Sequence, residues 1–198
     1  GIANLAVTPN MFTCANLGTN IVTLTAVDLA GNEAACTANV DVFDETPPTA
    51  ICMDISVYLD GNGQVTISTA DIDNGSTDDC QIAGYALDKT TFTCADVGGN
   101  AVNLTVTDTY SNQDICTATV TIADTTSPVI INCPADIIID PEIGGCASVV
   151  TWATPDTSDN CGFGTLVSSH PSGSTFSEGQ TTITYTATDI NGNTSSCE

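Results

Sequence analysis

The stretch that decides the fold reads FTCADVGGNAVNLTVTDTYSNQDICTATVTIAD and covers Phe92–Asp124. A near-copy, FTCANLGTNIVTLTAVDLAGNEAACTANVDVFD, covers Phe12–Asp44, 80 positions earlier. A looser third copy covers Phe176–Cys197. Its Asp189, Asn193 and Cys197 lie 81 positions after Asp108, Asn112 and Cys116. A fixed period of this size is typical of an array of small domains. The chain is therefore read as a set of repeats.

Proline-containing connections mark the boundaries between these repeats, at Asp44–Pro48 and Asp124–Pro128. Proline cannot donate to a sheet ladder, and paired prolines favour an extended link. We divide the chain into the C-terminal part of one repeat (residues 1–47), a complete middle repeat (48–128) and a third repeat that lacks its last strand (129–198). This organisation predicts a piece of a longer exported protein.

Apolar residues alternate with threonine in each copy, which predicts half-buried antiparallel strands. The inward positions are Val22, Leu24, Ala26, Cys36, Ala38, Val40 and Val42 in the first repeat, and Val102, Leu104, Val106, Cys116, Ala118, Val120 and Ile122 in the middle repeat. No segment has a sustained helical period. Short strands at this spacing predict an all-β fold, with tandem immunoglobulin-like β-sandwich domains in an elongated, disulfide-stapled array.

The composition restricts the partners and the compartment. The 198 residues include 24 acidic and one basic residue, which gives a net charge of -23, so binding to nucleic acid or to an anionic membrane surface is not expected. No apolar run is long enough to span a bilayer, so we expect no membrane insertion in this segment. Ten cysteines at repeating positions predict disulfides, and hence an extracellular or cell-surface location.

Four cysteines per repeat allow three connectivities, and the comparison between repeats favours one of them. Three positions stay fixed between the middle and third repeats, whereas the remaining cysteine moves from Cys94 to Cys146. A cysteine that moves should keep one fixed partner, and the first repeat holds only the equivalents of Cys94 and Cys116. The predicted pairs are Cys14–Cys36, Cys52–Cys80, Cys94–Cys116, Cys133–Cys161 and Cys146–Cys197.

Acidic residues are predicted to gather at the junctions, because the start, the loop after the second strand and the final hairpin turn of such a sandwich lie at one end. The first junction set is Asp44, Glu45, Asp54, Asp71, Asp73, Asp78, Asp79 and Asp108; the second is Asp124, Asp136, Asp159, Asn160 and Asp189. Converging hard oxygen ligands with almost no basic residue predict calcium sites. The alternative is that these are turn-forming residues on solvated loops, especially Asp28, Asp108 and Asp189, which each begin a hairpin turn.

The third repeat resembles the hyalin repeat (HYR) family. The residues that carry the resemblance are Cys133–Ile137, Val150–Trp152, Asp159–Cys161, His170–Phe176 and Tyr185–Asn193. The resemblance implies an immunoglobulin-like extracellular module associated with adhesion. The first two repeats resemble the HYR-like repeats of very large bacterial surface proteins of the Bacteroidetes type. They lack the Trp, the His-Pro-x-Gly stretch and an equivalent of Cys146.

Together these features favour a structural or adhesive segment of an extracellular fibre, filament or cell-surface stalk, stiffened by calcium. Its partners would be neighbouring repeats or identical subunits, joined by chain continuation or by strand addition, with a host-cell or matrix surface ligand in addition. The alternative is a carbohydrate- or protein-binding accessory module of an exported multidomain protein. No nucleophile–base pair or metal triad is visible in the sequence, so we do not expect an enzyme.

Overall fold

The computed structural model describes residues 1–140 and 145–198. Within them the regular structure is almost entirely β, as predicted. The exceptions are one four-residue helix, α1 (Thr69–Ile72), and two 3-10 turns at Cys14–Asn16 and Cys94–Asp96. The strands form hairpins and small sheets in which all pairings but one are antiparallel. The predicted all-β fold class is therefore confirmed, as is the presence of disulfide bonds.

The first repeat forms one three-stranded antiparallel sheet in the order β1-β2-β3. Its strands are β1 (Ile2–Thr8), β2 (Gly18–Asp28) and β3 (Glu33–Val42). In the β2–β3 ladder Leu24 lies opposite Cys36, and Gly18 lies opposite Val42. The segments with alternating apolar residues are thus strands, as the period of two predicted.

The middle repeat contains six strands around a long central hairpin. They are β4 (Ile55–Tyr58), β5 (Gln64–Thr66), β6 (Ile82–Leu87), β7 (Thr91–Thr93), β8 (Gly98–Asp108) and β9 (Gln113–Ala123). β8 and β9 form the hairpin, β6 pairs with β8 in antiparallel, and β4 pairs with β9 in parallel. β5 and β7 form a separate antiparallel pair. The stretch that decides the fold therefore supplies the centre of this sheet.

The described residues of the third repeat (129–140 and 145–198) contain seven short strands in three small sheets. They are β10 (Val129–Ile131), β11 (Ala147–Val150), β12 (Asp156–Ser158), β13 (Phe163–Ser168), β14 (Ser174–Ser177), β15 (Tyr185–Asp189) and β16 (Thr194–Cys197). The sheet orders are β13-β15-β16, β10-β12 and β11-β14. The hairpin of β15 and β16 corresponds to that of β8 and β9 in the middle repeat.

The chain contacts divide the protein into two compact units. Unit 1 comprises Gly1–Met53, Ser68–Lys89 and Val102–Ala118; unit 2 comprises Asp54–Ile67, Thr90–Ala101 and Thr119–Glu198. The buried apolar side chains of unit 1 include Ile72, Val102, Leu104, Val106 and Ala118, and those of unit 2 include Leu59, Ile67, Phe92, Val120, Ile122 and Tyr185. Every predicted inward position from Val102 to Val106 is fully buried, which confirms the face assigned from the sequence.

The first repeat does not bury the corresponding face. Leu24 is 38% exposed, whereas Leu104, its equivalent 80 positions later, has no exposed surface. Ala38 and Cys36 are likewise exposed, although Ala118, the equivalent of Ala38, is buried. The same strand pattern therefore carries a packed face in the middle repeat and an open face in the first.

The disulfides differ from the predicted set. The structure pairs Cys14–Cys80, Cys52–Cys116, Cys94–Cys161 and Cys133–Cys197, and leaves Cys36 and Cys146 as exposed thiols. All five predicted pairs are therefore wrong. Two of the observed bonds lie within the middle and third repeats. The other two join a cysteine of one repeat to a cysteine of the next.

Strand register explains why the predicted bonds are impossible. Leu24 of β2 lies opposite Cys36, and Gly18, six residues earlier in β2, lies opposite Val42. Cys14 precedes Gly18 in the chain, so it lies beyond the end of the ladder that is far from Cys36. At about 3.3 Å per residue this separates Cys14 from Cys36 by about 20 Å. A disulfide needs Cα atoms within about 7 Å of each other. The bond between Cys14 and Cys80 instead joins Cα atoms that are 5.3 Å apart.

The same argument applies to Cys133 and Cys161. In the β10–β12 ladder Val129 lies opposite Ser158 and Ile131 lies opposite Asp156, so the two cysteines leave the ladder at opposite ends. Cys133 instead bonds to Cys197 at the end of β16, with the Cα atoms 6.3 Å apart.

Candidate metal site

The final hairpin turn of each repeat is built around an aspartate. Asp108 Oδ1 accepts hydrogen bonds from the backbone N–H groups of Tyr110 and Asn112, both at 2.8 Å, and Oδ2 accepts one from Asn112 Nδ2 at 2.7 Å. Asp28 and Asp189 are bound in the same way by Asn32 and Asn193. The predicted turn-forming role of these aspartates is confirmed.

These turns also determine the ionisation of the two buried aspartates. Burial by itself opposes the charged form of Asp108, but hydrogen bonds from Asn112 and from the turn backbone outweigh it, so the pKa of Asp108 is lowered. Burial and the donors of Asn193 have the same opposing effects on Asp189, and its pKa is lowered as well. Asp108 and Asp189 are only 1% and 4% exposed, so each junction contains a buried carboxylate that stays ionised at neutral pH.

The turn asparagines connect each hairpin to the linker before its repeat. Asn112 Nδ2 donates to the backbone carbonyl of Asp44 at 3.0 Å, and Asn193 Nδ2 donates to that of Asp124 at 3.1 Å. Sequence reasoning missed this role and assigned the asparagines only to the turns. The available signal was their recurrence four positions after the turn aspartate in every repeat.

Site 1 is the group formed by Asp44, Asp78, Asp79 and Asp108. Carboxylate oxygens of Asp44, Asp78 and Asp108 all lie within 4.8 Å of one another, and an oxygen of Asp79 lies within the same distance of Asp44. The sulfur of Cys80 also lies in this group, but it is bonded to Cys14 and offers no thiolate. The structure thus brings Asp44, Asp78 and Asp108 together and places the exposed Asp79 beside Asp44.

Two carboxylate oxygens in site 1 have no hydrogen-bond partner. Asp44 is 7% exposed; its Oδ1 accepts from the backbone N–H of Thr46, while Oδ2 is buried and unpartnered. Asp78 Oδ2 accepts from the N–H groups of Cys80 and Gln81, while Oδ1 is buried and unpartnered. A buried anionic oxygen without a donor is costly, so these two atoms indicate a site for a cation.

Site 2 is the group formed by Asp124, Asp159, Asn160 and Asp189. Carboxylate oxygens of the three aspartates lie within 4.8 Å of one another. Asp159 Oδ2 accepts from the N–H groups of Cys161 and Gly162, and its Oδ1 is buried and unpartnered, as is Asn160 Oδ1. The geometry follows that of site 1, since Asp159 and Asp189 are the equivalents of Asp78 and Asp108.

The spacing of these oxygens suits calcium. Two oxygens bound to one calcium ion at about 2.4 Å lie at most about 4.8 Å apart, so the three aspartates at each site can reach one ion. The oxygens at the sites are those of carboxylates and of the Asn160 carboxamide, which are hard ligands of the kind that calcium prefers. The residues present therefore fit a calcium ion.

The other predicted acids do not join either group in the part of the chain that the structure describes. Asp54, Asp71 and Asp73 bind nearby donors: Asp54 accepts from Thr119 N–H, Asp71 caps α1 through Ser68, and Asp73 accepts from Ser76. Glu45 and Asp136 are exposed. Hydrogen bonds to Ser68 and Ser76 also lower the pKa values of Asp71 and Asp73. Asp71 and Asp73 thus act as a local cap and a local turn acceptor, whereas Asp54 binds the backbone of β9.

The third repeat also contains a cavity of about 690 Å³, which Asp136, Glu178 and Glu198 help to line and which includes none of the site 2 residues. Its wall includes Trp152, Phe176, Tyr185 and residues 137–139. Trp152 Nε1 donates to the Tyr185 hydroxyl at 2.5 Å, and the Trp152 and Phe176 ring centroids are 6.2 Å apart. Together these rings form one wall of an apolar opening.

Comparison with known proteins agrees with the repeat pattern. The family described as the HYR domain matches residues 123–198. Hyalin of Strongylocentrotus purpuratus is 34% identical over 187 residues, and hyalin of Lytechinus variegatus is 32% identical over 190 residues. Each alignment covers 89% of this chain, which spans 15% of the first hyalin and 35% of the second. The resemblance of the third repeat to the HYR family is thus confirmed.

The other relatives are also animal proteins. The "Sushi, von Willebrand factor type A, EGF and pentraxin domain-containing protein 1" of Mus musculus is 35% identical over 106 residues, which cover 52% of this chain and 3% of that protein. The predicted relation of the first two repeats to bacterial surface arrays is therefore not supported. A solved protocadherin gamma B7 structure, containing extracellular cadherin domains 1-4, aligns at a TM-score of 0.38 and 16% identity over 100% of this chain and 66% of that chain.

In the described residues no helix is long and apolar enough to cross a membrane. The segment is extracellular or lies at the cell surface. Residues 123–198 match the HYR domain, and the chain as a whole is a repeat module similar to the hyalins.

Proposed function

We propose that this segment is a structural part of an extracellular fibre, filament or stalk in which calcium stiffens the connections between successive repeats. Site 1 connects the first repeat with the middle repeat, since Asp44 ends the former and Asp78 and Asp108 belong to the latter. The proposal assigns the segment no catalytic role. The chain spans only 15% and 35% of the two hyalins that it matches. The assembly of the whole protein and the surface ligand that it binds are therefore also part of this proposal.

The observation that carries the proposal is the pair of unpartnered oxygens at site 1. Asp44 Oδ2 and Asp78 Oδ1 are buried without a donor, beside the ionised carboxylate of Asp108. The chain has a single basic residue among 198, so protein cations cannot neutralise such groups in general. A bound cation would satisfy both oxygens and would hold the linker against the hairpin turn.

The recurrence of the repeat along the chain supports an array with neighbouring repeats as partners. Residues 1–47 correspond only to the C-terminal part of a repeat, and Leu24 and Val22 stand where the fully buried Leu104 and Val102 stand in the middle repeat. We propose that neighbouring repeats are the partners of this segment, and that a host-cell or matrix ligand binds elsewhere on the array.

Calcium titration of the metal-free chain tests the proposal. Isothermal titration calorimetry should detect binding with a dissociation constant of about 10⁻⁴–10⁻³ M, as in other extracellular modules. At about 100 times that constant, calcium should add about 2.7 kcal/mol to the free energy of unfolding. The variant Asp78→Asn removes the charge of the carboxylate whose Oδ1 has no partner and should weaken binding. A melting temperature that is the same in excess chelator and in saturating calcium would refute the calcium role.

The second candidate function is a ligand-binding module, and the cavity of the third repeat favours it. The chain's single tryptophan, Trp152, lies in the wall of this cavity, so entry of a ligand should change the intrinsic fluorescence. Titration with soluble oligosaccharides and with a small apolar probe would test this function. Fluorescence that stays constant through both titrations would argue against it.

A further inference from the structure

The two metal sites differ at repeat-equivalent positions. Asp79 of site 1 corresponds to Asn160 of site 2, and Tyr110 of the first hairpin turn corresponds to Asn191 of the second. Each difference replaces a carboxylate or a phenol by an amide, which can donate hydrogen bonds. The linker aspartates Asp44 and Asp124 therefore have different neighbours.

At site 2 two amide side chains donate hydrogen bonds to the carboxylate of the linker residue Asp124. Asn160 Nδ2 donates to Asp124 Oδ1 at 3.3 Å, and Asn191 Nδ2 donates to Asp124 Oδ2 at 2.8 Å. Asn160 Nδ2 also donates to the Asp60 carbonyl at 2.9 Å. Both oxygens of the 7% exposed Asp124 thus have donors from the protein itself.

At site 1 the equivalent donors are missing from the described residues around the linker carboxylate. An oxygen of Asp79 lies within 4.8 Å of an oxygen of Asp44, where site 2 has the amide of Asn160. Asp44 Oδ2 has no partner, although the residue is more than nine-tenths buried. Site 1 therefore holds the three carboxylates of Asp44, Asp78 and Asp108 with the exposed carboxylate of Asp79 beside Asp44, whereas site 2 has three carboxylates and one carboxamide.

We propose that the two junctions depend differently on the cation, an inference that rests on the proposed calcium role. Site 1 needs a divalent cation to neutralise Asp44 and Asp79 and binds it more tightly, because affinity rises with the number of charged ligands. Site 2 keeps its linker in place without a cation, through the amide donors of Asn160 and Asn191. The Asp79/Asn160 position thus decides which connection between repeats responds to calcium.

Reciprocal substitutions of nearly equal size test this difference. In calorimetric titrations with calcium, Asp79→Asn should weaken the tighter site at least about tenfold, and Asn160→Asp should strengthen the weaker site by a similar factor. Asp71→Asn is the matched control, since it removes the same charge from a residue outside both sites. Its binding isotherm should match that of the unaltered chain.

Hydrogen exchange locates the response within the chain. Saturating calcium should slow amide exchange at residues 78–81 and leave residues 159–162 much less affected. Far-ultraviolet circular dichroism of each variant shows whether it is folded. If the unaltered chain binds no calcium, both the proposed function and this inference fail. If the unaltered chain binds calcium with two equal affinities, the proposed function stands and this inference is overturned. The same holds if both substitutions, Asp79→Asn and Asn160→Asp, leave the binding isotherm unchanged.

Discussion

The replacement Cys116→Ala distinguishes the observed disulfide network from the one predicted from the sequence. In the structure Cys116 bonds to Cys52 across a sequence separation of 64 residues. Loop-closure entropy for a loop of this size contributes about 4 kcal/mol at 25 °C. The variant should lose about that much free energy of unfolding, which corresponds to roughly 10 °C in Tm for a chain of this length.

Urea unfolding measures this loss, and thiol alkylation followed by peptide mass mapping identifies the partner. The structure requires Cys52 to become newly reactive. The sequence-based pairing would instead release Cys94, so alkylation of Cys94 would refute the observed connectivity. The control is Cys36→Ala, at the equivalent position of the first repeat, where the residue is an exposed thiol. Its effect should stay within about 0.5 kcal/mol.

Three further predictions concern the core, a close approach and pH. Leu104→Ala should cost about 2–5 kcal/mol in urea unfolding, because Leu104 is fully buried, whereas Leu24→Ala at the 38% exposed equivalent position should cost clearly less. Gly63→Ala should lower Tm, because its φ is +71° and a Cβ would lie 2.5 Å from a disulfide sulfur; an unchanged Tm would contradict the close approach. Burial opposes ionisation of Asp108, but hydrogen bonds from Asn112 outweigh it and lower the pKa of Asp108 below 3.8. The stability that Asp108 contributes is therefore present above pH 3.8 and is lost as the pH falls through its pKa in the folded protein. Asn112→Ala should reduce that acid loss in Tm measurements from neutral pH to about pH 2, and an identical acid profile would contradict the role of the asparagine.

The strands could be predicted because their signal is local. Apolar residues at every second position, as in Val102, Leu104 and Val106, have a single arrangement that buries them all, and the structure buries them all. The turn at Asp108 is also local, since its acceptors and donors lie within four residues. Leu24 is exposed although its strand has the same pattern, because residues 1–47 contain no counterpart of residues 48–80 of the middle repeat. Burial depends on these further segments as well as on the strand.

The disulfides could not be predicted because the comparison considered each repeat by itself. A bond such as Cys14–Cys80 joins two repeats, and equivalent positions within one repeat carry no information about it. The separations do contain a usable signal: Cys52–Cys116 and Cys133–Cys197 both span 64 residues, and the two bonds between repeats span 66 and 67. More of the candidate site than of the disulfide pairing could be predicted, since carboxylate oxygens of Asp44, Asp78 and Asp108 lie close together. Asp71 and Asp73 instead accept hydrogen bonds from Ser68 and Ser76.

The bonds between repeats and the acidic sites act on the same loops. Cys80 directly follows Asp78 and Asp79, and its bond to Cys14 fixes this loop to the repeat whose last residues include Asp44. A cation at site 1 would therefore meet carboxylates that are already held together, so binding would require little further ordering of the chain. This preorganisation would allow a site with weak affinity to stiffen a connection. The covalent bond limits how far the loop can move, and a cation would only have to select one arrangement within that limit.

The same relation holds at site 2, where Cys161, which is bonded to Cys94, directly follows Asn160. Because the amides of Asn160 and Asn191 already bind Asp124 there, the selection is made by hydrogen bonds. A disulfide between repeats and a neighbouring group of acids thus recur together at both sites. If the proposed calcium role holds, the residue after Asp78 or Asp159 would decide whether a cation is needed to hold the linker in place.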